Sequence, residues 1–182
     1  IISLTDGAFV HFNWTDRLSW RAPFTVEGWF YANSANDNAI WGGGDISADG
    51  GFTLRLNGSN QIAISKCKDS TCETKYSSSV GTSVVGRWTY FAVTNYLNES
   101  GNAIVTMYLD DTQNITDTSD FDIFNQNVIS GENDVTACNV LGLGKGRCGD
   151  NEHWEGSFDN IRFWNYALSS TEVAQSKAGT LG

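Results

Sequence analysis

The sequence predicts an all-β fold: a two-sheet antiparallel β-sandwich of jelly-roll type, closed by a short C-terminal helical turn. Three observations predict it. Apolar and polar residues alternate with period two in run after run, the spacing of a half-buried strand. Turn signals separate these runs at roughly ten-residue intervals, as in sandwiches and barrels. Only the tail carries helix signals.

The runs follow in order. Ala8 to Phe12 is a short alternating strand. Phe24 to Tyr31 (FTVEGWFY) puts Phe24, Val26, Gly28 and Phe30 on one face and Thr25, Glu27, Trp29 and Tyr31 on the other. Both faces are partly apolar, which suits an inner strand. Gly51 to Leu56 and Gln61 to Ser65 form a hairpin around Asn57-Gly58-Ser59-Asn60, and Asn-Gly is a strong hairpin signal. Trp88 to Tyr96 and Ala103 to Leu109 form a second hairpin, and Asp110-Asp111 turns into a further strand. Asn139 to Leu143 and Ser157 to Asn165 complete the sheets. Ser169 stands three residues before Glu172, a capping-box pattern, and Gly179 supplies a C-terminal cap.

Composition bounds the function. A length of 182 residues suits one domain, 1–182. Hydrophobic residues at 40% and aromatics at 13% supply a core. With 19 Gly against one Pro, turns fall to Gly, Asn and Asp. The net charge of -10, from 21 acidic and 11 basic residues, argues against a nucleic-acid partner, because phosphate contacts need a basic face. No stretch reads as a leader or a membrane span, so a mature or excised domain without direct membrane insertion is expected.

The four cysteines are Cys67, Cys72, Cys138 and Cys148. Zinc spacing and partner histidines are missing. Disulfides 67–72 and 138–148, each pinning a tight loop, are the better reading; other connectivities stay open. That reading implies an oxidising compartment. Sequons at Asn13, Asn57, Asn98 and Asn114 point the same way, to glycosylation and an extracellular or cell-surface location.

Three stretches carry a family resemblance. FTVEGWF (24–30), GRWTYFAVT (86–94) with Val105 to Asp110, and EGSFDNIRFWNYALS (155–169) together resemble laminin-G-like and pentraxin-like domains of the concanavalin-A-like lectin/glucanase superfamily. Asp111 stands where the family has glycine. The resemblance implies the sandwich fold and a domain that binds and rarely catalyses. It also implies a calcium site: Asp49-Gly50 falls near the pentraxin Asp-Asn pair, but Gly144-Lys145-Gly146 replaces the pentraxin Glu-Gln-Asp triplet.

Calcium needs several oxygen ligands. The Gly-rich segment 42–51 offers Asp45 and Asp49, and segment 144–152 offers Asp150 and Glu152. The family architecture implies that the two loops share one rim. Sugar sites combine aromatic faces with polar groups, and Trp41, His153 and Trp154 flank these loops as contact residues. Trp29, Trp88 and Trp164 are expected in the packing. Hydrolysis needs paired carboxylates on one strand face. Glu152, Glu155 and Asp159 straddle a glycine turn instead, so no catalytic residue is assigned.

The expected function is a non-catalytic extracellular recognition module that binds a glycan or an extracellular protein at the loop rim, with calcium as its expected cofactor. A structural, adhesion or assembly domain without sugar binding is the alternative. A glycoside hydrolase ranks below both.

Overall fold

In the computed structural model of the chain, residues 1–5, 10–12, 23–34, 38–43, 52–68, 71–76, 83–100, 103–110, 112–117, 141–144 and 153–181 are described. They form twelve strands and one helix. The strands are β1 (Ile2–Leu4), β2 (Val10–Phe12), β3 (Phe24–Ala32), β4 (Asn38–Gly43), β5 (Phe52–Leu56), β6 (Ile62–Lys68), β7 (Thr71–Tyr76), β8 (Trp88–Leu97), β9 (Ala103–Leu109), β10 (Thr112–Asp117), β11 (Leu141–Leu143) and β12 (Gly156–Trp164). The helix is α1 (Ser170–Lys177). Two six-stranded antiparallel sheets result, in the orders β1-β12-β3-β8-β9-β10 and β2-β11-β4-β5-β6-β7.

The main core lies between the sheets. The inward face of β3 contributes Phe24, Val26, Phe30 and Ala32, and β8 contributes Phe91 and Val93. The second sheet supplies Ile40, Trp41, Leu54, Leu56, Ile62 and Ile64. Phe30, Trp154 and Phe158 stack as a chain of rings, with centroids 5.3 Å and 4.8 Å apart. Gly156 permits this: a Cβ there would lie 1.9 Å from the Tyr31 carbonyl oxygen, and its φ of 148° disfavours other residues.

Two irregularities re-aim side chains. Register shifts between Asp159 and Arg162 of β12, where Asn160 has φ 50°. This bulge lets Phe158, Ile161 and Phe163 all meet the main core while Arg162 and Trp164 face outward. A second shift, between Ala39 and Trp41 of β4, brings neighbouring Ile40 and Trp41 both into the core. It breaks the period-two pattern, so the sequence does not mark β4.

The β5–β6 hairpin forms where expected but for another reason. Asn60 N–H donates to the Asn57 carbonyl and Asn57 N–H to the Gln61 carbonyl, closing a loop in which Asn60, with φ 58°, is the left-handed residue. Asn57-Gly58 does not supply the positive φ.

The helix caps as predicted. The Ser169 hydroxyl accepts the Glu172 N–H, and the Glu172 carboxylate accepts the Ser169 N–H at 2.7 Å. Ser169 also holds the Glu172 carboxyl below the usual carboxylate value. Gly179, with φ 71°, follows the C-cap. The helix lies on the outer face of the first sheet, where Leu168 and Val173 pack on Tyr90, Ala92 and Tyr108 in a second, smaller core. Among the described residues no helix is long and apolar enough to cross a membrane.

Candidate functional site

The outer face of the first sheet is ordered by register. Trp164, Thr25, Thr94 and Thr106 line up across β12, β3, β8 and β9, and Arg162, Glu27, Ala92 and Tyr108 form the next row. After β12 the chain turns back over these rows. The Thr25 hydroxyl fixes the turn by donating to the Tyr166 carbonyl and accepting the Leu168 N–H, each at 2.9 Å.

Leu168 and α1 cover the second row. Beside them the first row opens into a groove of about 490 Å³, lined by Pro23, Thr94, Tyr96, Thr106, Tyr108, Tyr166 and the 167–169 turn. That volume lies within the range of small-ligand sites, roughly 300–1,000 Å³. Tyr96 and Tyr166 are 43% and 40% exposed. Tyr166 is braced edge-on by Trp164, centroids 5.8 Å apart. At the floor, Thr94, Thr106 and Tyr108 are buried. Burial pushes the Tyr108 phenol above its ordinary pKa, so it stays a neutral hydroxyl. The described residues of the lining therefore present aromatic rings and hydroxyls, with no carboxylate or cation among them.

Beneath α1 lies a deeply buried carboxylate, the one such group among the described residues. Glu27 is 1% exposed. It accepts from the hydroxyls of Tyr90 and Ser176, from Trp164 Nε1 at 2.9 Å and from Arg162 at 3.5 Å. Arg162 also donates to the Ser176 hydroxyl at 2.8 Å. A charge so enclosed needs these partners. Burial, then the Glu27 hydrogen bond and charge, raise the Tyr90 pKa, with Arg162 opposing. This carboxylate ties the helix to the sheet and is closed to any substrate.

The structure redistributes the residues expected from sequence. Trp41 is 3% exposed and packs on Phe163; Trp154 is 0% exposed between Phe30 and Phe158. Both are corrected from sugar platforms to core residues, because a ring enclosed on both faces cannot stack on a sugar. Trp88, expected in the packing, is 37% exposed beside Tyr31. His153 is half-buried.

Asp45, Asp49, Asp150 and Glu152 lie outside the described residues, as do Cys138, Cys148 and Asn13. The anchors of the acidic segments are described. Segment 44–51 joins Gly43 to its partner Phe52. β11 runs antiparallel to β4, with Leu143 opposite Trp41. Gly144 N–H then donates to the Ile40 carbonyl, and Trp154 N–H to the Gly144 carbonyl. Segment 145–152 thus leaves and returns beside Ile40, three residues and about 10 Å along β4 from Gly43. The described anchors of the two segments thus stand at different positions along β4, Gly43 for one and Ile40 for the other. Among the described residues no group of three or more His, Cys, Asp or Glu side chains could hold a metal.

Of the remaining residues, Cys67 stands opposite Cys72 in the backbone register of the β6–β7 hairpin. Asn57 and Asn98 each accept a hydrogen bond from the backbone of the serine two residues on, and Asn114 lies in β10. Glu155 is exposed just before β12, and Asp159 lies within it.

Comparison with known proteins follows this geometry. Residues 6–174 match the laminin-G-type family profile described as concanavalin A-like lectin/glucanases superfamily. No curated protein matches the sequence. Among solved structures, the chain is similar to the CBM40 of the Ruminococcus gnavus IT-sialidase bound to α2,3 sialyllactose, at 13% identity and TM-score 0.67, covering 95% of this chain and 94% of that one. It is also similar to domain 4 of AbnA, an extracellular arabinanase of Geobacillus stearothermophilus, in complex with arabinotriose, at 14% identity and TM-score 0.60, covering 93% and 81%. A pentraxin of Limulus polyphemus gives 13% identity and TM-score 0.58, covering 85% and 69%. At these identities the likeness to solved structures speaks to fold. With the family profile spanning nearly the whole sequence, the chain belongs to the concanavalin A-like lectin/glucanases superfamily.

Proposed function

We propose that the chain is a non-catalytic carbohydrate-binding module of an extracellular protein, and that it takes its ligand in the groove on the outer face of the first sheet. The observation that carries this reading is the groove's lining. Exposed Tyr96 and Tyr166 flank a floor of Thr94, Thr106 and Tyr108, a combination of stacking faces and hydroxyls that matches a sugar's apolar face and its rim of OH groups. The glycans bound by the R. gnavus and G. stearothermophilus domains support the ligand class.

A binding role fits the carboxylates better than hydrolysis. Glycoside hydrolysis needs two accessible carboxyls about 5–10 Å apart. On this face Glu27 is enclosed by its donors, and no carboxylate is among the described residues that line the groove. The extracellular setting rests on the sequons and on the cysteines; the register of Cys67 and Cys72 favours their pairing.

Calcium is a separate proposal. Each acidic segment brings two carboxylates, Asp45 with Asp49 or Asp150 with Glu152, and six to eight oxygens are required. An ion at either segment would need backbone carbonyls or water, and a chelator-reversible rise in Tm with calcium would establish it.

A glycan array probed with the wild type and with Tyr166→Ala tests the function. Binding to a defined set of glycans that the variant loses supports it. An array with no bound glycan contradicts it and favours the adhesion alternative.

A further inference from the structure

One motif of the sequence stands at the mouth of the groove. Asn98-Glu99-Ser100 is an N-glycosylation sequon, and it follows Tyr96, a residue of the groove lining, by two positions. That step is about 7 Å of strand, and the alternation of β8, continued to Asn98, puts both residues on the outer face. The sequon begins the β8–β9 turn, beyond the last pair of the hairpin, Leu97 with Ala103. There the Ser100 N–H donates to the Asn98 side-chain oxygen at 3.0 Å, and Glu99 and Ser100 are exposed. An exposed turn is a place where a chain carries a bulky glycan without disturbing its core.

The sequon at Asn57 stands elsewhere. Asn57 belongs to the β5–β6 hairpin, whose Asn60 side-chain oxygen accepts the Val84 N–H at 3.4 Å. That contact lies just before β8 starts, whereas Asn98 lies just past its end. The ten residues of β8 separate the two places by about 30 Å. Of these two asparagines, Asn98 is therefore the one whose glycan emerges beside the exposed rings of the groove.

We infer that an N-linked glycan on Asn98 occupies the mouth of the groove and competes with outside ligands for Tyr96 and Tyr166. This rests on the extracellular carbohydrate-binding reading above and adds a regulation of that same site. The chemistry is common to both occupants, because aromatic faces and hydroxyls that suit a sugar suit the chain's own sugars. Tethering supplies the concentration, since a group on a short flexible link reaches effective concentrations in the mM range. A tethered sugar at about twice its own dissociation constant lowers the apparent affinity for a free ligand about threefold. The glycosylation state of one asparagine thereby sets the affinity of the groove.

The test uses the chain secreted by a eukaryotic host, with glycopeptide mass spectrometry to read Asn98. An unmodified Asn98 overturns the inference. Ser100→Ala removes the sequon and keeps the backbone N–H that donates to Asn98. Ser59→Ala removes the Asn57 sequon in the same way and serves as the control. A cooperative melt shows that each variant is folded. The probes are the glycans of an array, with arabinotriose and sialyllactose among them. Ser100→Ala should bind its best probe about threefold or more tightly than the glycosylated wild type does, and Ser59→Ala should match the wild type. Without added sugar, the ring resonances of Tyr96 and Tyr166 should differ between the wild type and Ser100→Ala. Equal affinities, ring resonances that do not move, or an equal gain in both variants overturn the inference and leave the carbohydrate-binding reading standing. Binding of no probe by Ser100→Ala overturns both.

Discussion

Thr25 and Leu168 are 143 positions apart and joined by a 2.9 Å hydrogen bond from the Leu168 N–H to the Thr25 hydroxyl. The same hydroxyl donates to the Tyr166 carbonyl, so one buried threonine fixes the wall of the groove without lining it. Thr25→Val removes both bonds and keeps the shape. The expected cost is about 1–3 kcal/mol, since the Leu168 N–H is left buried and unpaired. Ligand affinity should fall with it, because Tyr166 loses its support. Urea denaturation and a ligand titration of the same variant check both effects. Full affinity with the wall unpinned would contradict the positioning role.

Glu27 ties α1 to the sheet, so its loss should cost more than the loss of one donor. Glu27→Gln removes the charge that Arg162, Trp164, Tyr90 and Ser176 address. Breaking such a buried cluster from the carboxylate side should destabilise by about 3 kcal/mol, against about 1 kcal/mol for Ser176→Ala. Denaturant midpoints of the two single variants and the double variant measure the difference and the coupling.

The Tyr90 phenol is raised above its ordinary value of 10.0 by burial, then by Glu27. The folded state therefore keeps its proton where the unfolded chain loses it. This contribution is fully present below pH 10 and is lost as pH rises beyond it. Stability measured from pH 8 to pH 11 should decline at the alkaline end. Tyr90→Phe should start lower, with Glu27 missing a donor, and decline less steeply. Parallel alkaline limbs would contradict this assignment.

Trp154 separates a core role from a contact role. Enclosed between Phe30 and Phe158, it should cost about 3–5 kcal/mol on substitution by alanine. A folded Trp154→Ala variant of normal Tm that had lost only ligand binding would return it to the surface role the sequence suggested.

The contrast between Trp154 and Tyr166 shows what was legible beforehand. Alternation in β3, β8, β9 and β12 reveals the sandwich, and the Ser169–Glu172 spacing reveals the helix cap, because both depend on neighbours in the chain. Burial of Trp41 and Trp154 depends on which sheet closes over them, and both lie beside loop-like sequence that suggests exposure. Glu27 reads as an outward-facing strand residue, which it is; only α1, more than 140 positions later, encloses it. The groove residues Thr94, Tyr96, Thr106 and Tyr108 stand at alternate positions of their two strands, but nothing local shows that α1 covers one row and leaves the next open. The two acidic segments were joined on paper by the family's architecture; the pairing of β11 with β4 separates their anchors.

The central claim is the position of the site, and a chemical-shift titration of the isotope-labelled chain with a bound oligosaccharide tests it most directly. The predicted result is a set of perturbed resonances centred on Thr94, Tyr96, Thr106, Tyr108 and Tyr166, with segments 44–51 and 145–152 unchanged. Perturbations centred on those two segments, with the groove silent, would contradict it.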